Sequence, residues 1–181
     1  TSELAVRALN GYTHVMAYSR SLGRPVAAVV GDIYHHVQLY IAARQDDGTD
    51  RAYAITTDGL ARTLTPRPAK KLSESLVTNF LMKPAERFLP LSRQAGLIEA
   101  LETPAPDGKR RGRIGLDFGS VSLCHVATGF TEAVIEFTKG FAIWDLAPGH
   151  YILTAAGGSV VDLDGQPLPL DYGLTAQHDI A

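Results

Sequence analysis

Polar and apolar residues alternate along the first half of the chain and shift to a three- and four-residue period in the second. Residues 13–22 carry β-branched and aromatic side chains in rough alternation and stop at Gly23-Arg24-Pro25, while residues 26–30 and 37–43 are short apolar runs. A period of two gives each face of a strand its own set of side chains, and Gly and Pro punctuate turns. These segments are therefore expected to be successive strands of one antiparallel meander. Residues 45–50 read as a polar turn, 52–55 as the resumed strand, and Thr57-Asp58-Gly59 as the next turn. Residues 75–80 read as a further strand, entered through a loop rich in Pro and Lys.

Between residues 84 and 101 the period lengthens. Phe88, Leu91, Ala95 and Ile98 recur at helical spacing with a Pro in the first turn, which predicts an amphipathic helix. A loop to Arg113 comes next. Residues 119–129 read as a mostly apolar helix, 133–137 as a strand, and 144–156 as a second buried helix stopped by Gly157-Gly158. Residues 160–163 read as a short strand closed by Asp164-Gly165. The pattern predicts an α/β chain with an antiparallel-sheet subdomain over residues 1–82 and an α/β subdomain over residues 83–181. A sheet needs a packed layer on its face. Because the helices come late, the expectation is that helices from elsewhere cover the first sheet.

Composition narrows the function classes. The chain has 181 residues, 45% of them hydrophobic, with a net charge of -2, which gives no footprint of a nucleic-acid-binding surface. The basic cluster Lys109, Arg110, Arg111 and Arg113 comes after a Pro- and Gly-containing stretch and reads as a solvated loop, with an anion contact as the lesser alternative. The single cysteine, Cys124, lies in an apolar run and cannot form an internal disulfide, which fits a reducing, cytoplasmic setting. No apolar stretch is long enough to span a bilayer as a helix.

Several residues could carry chemistry. Asp145 stands at the N-terminal edge of an apolar helix, where a carboxylate is stabilised by the helix dipole and can also serve a site. His150 lies further along the same helix and could face that site, or be structural. Ser120 opens the earlier helix, as an N-cap or as a substrate contact through nearby backbone N–H groups. His35 and His36 point to opposite faces of a strand, which is poor geometry for shared ligation, and His125 reads as core.

Three segments resemble the inositol monophosphatase superfamily, in particular its 3'(2'),5'-bisphosphate nucleotidase branch. Ile143-Trp144-Asp145-Leu146-Ala147-Pro148-Gly149, with Gly157-Gly158 and Asp162-Leu163-Asp164-Gly165, is similar to the signature W-D-x-A-A-G, then A-G-G and D-x-x-G, with Pro148 in place of the second Ala. Gly119-Ser120 resembles the family's G-S helix start, and Thr1-Ser2-Glu3-Leu4 resembles the residues after D-P-L-D-G in its first motif. The resemblance implies a layered αβαβα sandwich of which this chain is the C-terminal part. It implies that Asp145 is a metal-ligating aspartate for Mg²⁺, that Gly119, Ser120, Glu3 and Glu136 are substrate-side candidates with His150, and that the remaining metal ligands precede residue 1. Glu136 stands two residues further from its Asp than in the inositol enzymes.

A start inside an active-site motif suggests specific cleavage. An N-terminal Thr can use its hydroxyl as nucleophile and its own amine as base. The leading expectation is therefore a self-processed protein in which Thr1 performs acyl transfer or amide hydrolysis without a metal. It would pair with the N-terminal chain of the same precursor, act on a small-molecule substrate, and could form a higher homo-oligomer. The alternative is a Mg²⁺-dependent phosphatase of a nucleotide or of an inositol or sugar phosphate.

Overall fold

The computed structural model describes residues 12–33, 37–68, 70–80, 94–104, 106–108, 111–117, 119–136 and 141–173. Its strands are β1 (Tyr12–Ser19), β2 (Arg24–Asp32), β3 (Val37–Arg44), β4 (Asp50–Thr56), β5 (Ala61–Thr63), β6 (Leu76–Phe80), β7 (Arg113–Asp117) and β8 (Ala133–Ile135). Its helices are α1 (Ala95–Glu102), α2 (Gly119–Ala127) and α3 (Ile143–Ala155).

Strands β1 to β5 form a five-stranded antiparallel sheet in sequence order, the meander that the alternation predicts. Alternation sorts the side chains into two faces. Val30, Tyr40 and Ala54 share one register row, and Ala28, Ala42 and Ala52 the next. Both rows are buried in a single core with Val121, Leu123 and Cys124 of α2 and Tyr151, Ile152 and Leu153 of α3. The alanines leave room for the helices to approach the sheet, with Tyr40 filling the gap. The expectation that this sheet must borrow helices from elsewhere is thus corrected for one face, because the chain's own α2 and α3 cover it.

Strands β7, β6 and β8 form a separate, wholly parallel three-stranded sheet. Residues 75–80, expected to continue the antiparallel strands, therefore pair elsewhere. Parallel strands of one sheet need a crossover between them, and α2 is the crossover from β7 to β8, which flank β6. It touches β8 as well as β1 and β2, so α2 and α3 form a helical layer between the two sheets. This is the layered α/β arrangement expected. Strand β7 falls in a stretch that the pattern leaves unassigned between the loop to Arg113 and the helix from residue 119: charged Arg113 and Asp117 flank a segment with Gly115 at its centre, too short a run to register as a strand.

Both central helices stop at a glycine, α3 at the Gly157-Gly158 pair that the sequence predicts. Gly157 (φ 90°) and Gly129 (φ 75°) take left-handed conformations. In each case the next residue's N–H reaches back five positions, Gly158 to Leu153 O and Phe130 to His125 O, at 2.9 Å, a Schellman closure. Of the helix expected over residues 84–101, only residues from 94 onward are described, and they begin α1 one residue later. Among the described residues no helix is long and apolar enough to cross a membrane.

Candidate active site

Asp145 occupies the third position of α3, where its carboxylate meets the positive end of the helix dipole and no other side chain caps the helix. Two residues from other elements hold it. Tyr12, the first residue of β1, donates its phenol O–H to Asp145 Oδ1, and the Ser120 backbone N–H donates in turn to the phenol oxygen. Burial, then the bond to Asp145 and its negative charge, push the phenol well above its usual range, so it stays protonated as a donor.

Ser120 acts on the main chain of the same residue. Its Oγ donates to Asp145 O at 2.7 Å and accepts from Gly149 N at 3.3 Å. In an unbroken helix Gly149 N–H would bond Asp145 O directly. The serine hydroxyl is inserted into that step of the ladder, next to Pro148, which has no N–H to give Trp144 O. Close helix contact permits this. A Cβ on Gly149 would lie 2.5 Å from Ser120 O, and one on Gly119 (φ 67°) would lie 2.0 Å from the Tyr12 phenol oxygen. Both positions therefore require glycine.

The structure thus brings Asp145, Gly119 and Ser120 together. Ser120 is fully buried, with its hydroxyl spent on α3, and the start of α2 is covered by the Tyr12 phenol. Glu136 lies apart, on the rim of a largely apolar cavity of about 560 Å³ between β8, α2, α3 and residues 159–168. His150 is buried with Nδ1 3.0 Å from Tyr172 Oη; burial pushes it down to about 4, so it is neutral near pH 7, and it makes no contact with Asp145. Thr1 and Glu3 lie outside the described residues. Trp144, which precedes Asp145, is 66% exposed.

Two features are not readable from the sequence pattern. Tyr12 gives no signal there, since its partner is 133 residues away. His125 is buried as expected, yet Nδ1 lies 2.7 Å from Asp117 Oδ2 and Nε2 3.3 Å from Asp32 Oδ2. Burial alone would lower its pKa; the bonds and charges of the two carboxylates reverse this and hold it at about 9.

A hard carboxylate with one oxygen taken by a phenol suits one place in a Mg²⁺ shell. Among the described residues no group of three or more His, Cys, Asp or Glu side chains could hold a metal ion.

Residues 17–179 match the family model for the inositol monophosphatase family. The chain belongs to that family. It is 36% identical over 87 residues to human inositol monophosphatase 2, covering 48% of this chain and 27% of that protein. It is 28% identical over 152 residues to a probable inositol 1-monophosphatase, ImpA, of Mycobacterium tuberculosis, covering 80% of this chain and 53% of that protein. Its fold superposes on staphylococcal IMPase-II with a TM-score of 0.61 at 23% identity, over 92% of this chain and 55% of that one. The chain thus spans about half or less of the length of these relatives.

Family membership overturns the expectation of a self-cleaved transferase or amidohydrolase with Thr1 as nucleophile. The match is to inositol monophosphatase sequence from residue 17 to residue 179, and the two relatives are named as inositol monophosphatases. The nucleophile reading draws its weight from the residue at which the sequence starts. In a chain that spans about half or less of the length of these relatives, that position carries no such information.

Proposed function

We propose that this chain is part of a Mg²⁺-dependent phosphomonoesterase acting on a small phosphorylated alcohol, an inositol or sugar phosphate or a nucleotide. The observation that carries the reading is Asp145, fixed by Tyr12 through its carboxylate and by Ser120 through its carbonyl, at the start of α3 in a chain of this family. Names of the relatives support the phosphatase class.

In this reading Asp145 provides one carboxylate ligand, and the other ligands come from outside the described residues. Bound Mg²⁺ would supply Lewis-acid polarisation of a phosphoryl oxygen and a more acidic water. The chain's own contribution is orientation. The Tyr12 phenol holds the Asp145 carboxylate in its rotamer, and the Ser120 hydroxyl stands between Asp145 O and Gly149 N in α3. Cys124, buried and free, fits a reducing compartment such as the cytoplasm.

The test is phosphate release by the full-length protein from inositol monophosphate, a sugar phosphate and adenosine 2'- and 3'-phosphates, with and without Mg²⁺. Mg²⁺-dependent release that falls at least about a hundredfold in Asp145→Asn is expected, as for loss of a metal ligand. Release that survives that substitution, or that ignores the metal, refutes the reading.

A further inference from the structure

We infer that His125 is a positioning residue for Asp145. By bonding Asp32 and Asp117 together it ties the ends of β2 and β7 to α2, and so fixes Tyr12 and Ser120, which hold Asp145. This role rests on the phosphatase reading above. Its basis is where the two carboxylates stand. Asp32 is the last residue of β2 and lies opposite Tyr12 in the β1–β2 register, where facing side chains are neighbours on one face of the sheet. Asp117 is the last residue of β7 and precedes Gly119 and Ser120, which open α2, by two and three positions. His125 spans the two, with Nδ1 2.7 Å from Asp117 Oδ2 and Nε2 3.3 Å from Asp32 Oδ2. All three residues are buried.

The proton count decides how firm the tie is. A neutral imidazole has one N–H, so only the imidazolium donates to both carboxylates at once. When the proton leaves, the shorter bond to Asp117 keeps the remaining N–H, and a ring lone pair faces the Asp32 carboxylate and repels it. The end of β2 then shifts, and Tyr12 with it. The other described groups that face the ring do not change charge in the same range. Tyr40 of β3 stands edge-on at 6.2 Å and Phe130 lies at 6.0 Å. Burial holds the Tyr40 phenol and the neighbouring Cys124 thiol well above their usual values, and Arg62 of β5, which acts on Tyr40, stays cationic. The Tyr12 phenol is likewise held protonated, so a change at Tyr12 near pH 9 is carried from His125. The site is ordered below about pH 9 and loosens as pH rises through that value. A misplacement of about 1 Å that starts far from the chemistry can cost about a hundredfold in rate.

The experiment follows the Tyr12 and His125 ring resonances by NMR in the full-length protein, with Mg²⁺-dependent phosphate release measured over the same alkaline pH range, for wild type and Asp32→Asn. An amide at position 32 presents its N–H to a neutral ring and its carbonyl to a charged one, so the bond to His125 persists in both states. In the wild type the Tyr12 resonance is expected to move with the His125 midpoint. There kcat/KM, which reports the free enzyme, should fall about tenfold between about one pH unit below that midpoint and about one above it, as for loss of one proton. In Asp32→Asn the Tyr12 resonance should stay still and that step should vanish. A Tyr12 resonance that ignores the His125 titration overturns the inference, and so do activity profiles that coincide in the two proteins. If Asp32→Asn does not fold, the wild-type midpoints decide: activity lost at a different pH from the ring titration refutes the link. If the wild type releases no phosphate at any pH, the phosphatase reading fails, and the ring coupling by itself supports or overturns the tie between His125 and Tyr12.

Discussion

His125 lies between two carboxylates, and its charge ties folding to pH. The unfolded imidazole titrates near 6.5 and the folded one at about 9. Because the folded value is the higher, the stabilisation is complete below about pH 6.5 and is lost as pH rises through about 9. The shift corresponds to about 3 kcal/mol, a large share of a typical domain's stability. Urea unfolding at pH 6 and pH 9.5 should therefore show a loss of that order in the wild type and a much flatter profile in His125→Gln. Parallel profiles in the two proteins would refute the assignment. Substitution also removes the cation from between Asp32 and Asp117, so His125→Gln should be less stable than wild type at pH 6 by roughly 3–5 kcal/mol. Little of this is legible in the sequence. His125 sits in an apolar run that places it inside, but Asp117 reaches it only because β7 exists, and Asp32 is 93 residues away. Tyr12 and Asp145 show the same limit: Asp145 has a local role readable from pattern, Tyr12 has none, and their pairing is set by the fold.

At the scale of elements, the contact between α2 and α3 sets the geometry of Asp145. Ser120→Ala would strand the buried Gly149 N–H and Asp145 C=O, since Pro148 stiffens the turn and hinders its closing. A loss of roughly 1–3 kcal/mol is expected, the cost of unsatisfied buried groups. Urea midpoints measure it, and a variant as stable as wild type would show that the ladder closes without the hydroxyl. Pro148 is visible in the sequence as a departure from the family's alanine, but its meaning needs the serine from another helix beside it. The elements themselves are more legible. Rough alternation in β1 and short apolar runs between turn residues announce β1 to β4, and a long apolar stretch with a Gly-Gly stop announces α3. Strand β7, with Gly115 between two charged ends, carries too few apolar positions to declare itself, and no local pattern distinguishes β6, paired in parallel, from an antiparallel neighbour.

The whole molecule poses the question of the sheet's second face. Val15, Val29, Ile41 and Tyr53 stand in one register row across β1 to β4 on the side away from α2 and α3. All are apolar or aromatic, and Val15 is 64% exposed. A contiguous apolar patch of this kind marks an interface. The occupant this face calls for is a further packed layer, since a sheet needs one on each apolar face. The two faces then predict different responses to one change. Ile41→Lys places a charge at the centre of the row. If the face is covered in the full-length protein, this substitution buries an unpaired ammonium and should cost several kcal/mol, appearing as a clear drop in melting temperature and in soluble yield. If the face is open to water, the same lysine costs only the fraction of a kcal/mol usual for surface sites. Thr13→Lys, at the exposed margin of the same face, is the control and should be near neutral in either case. A full-length Ile41→Lys protein that melts with the wild type would remove the case for a covering layer.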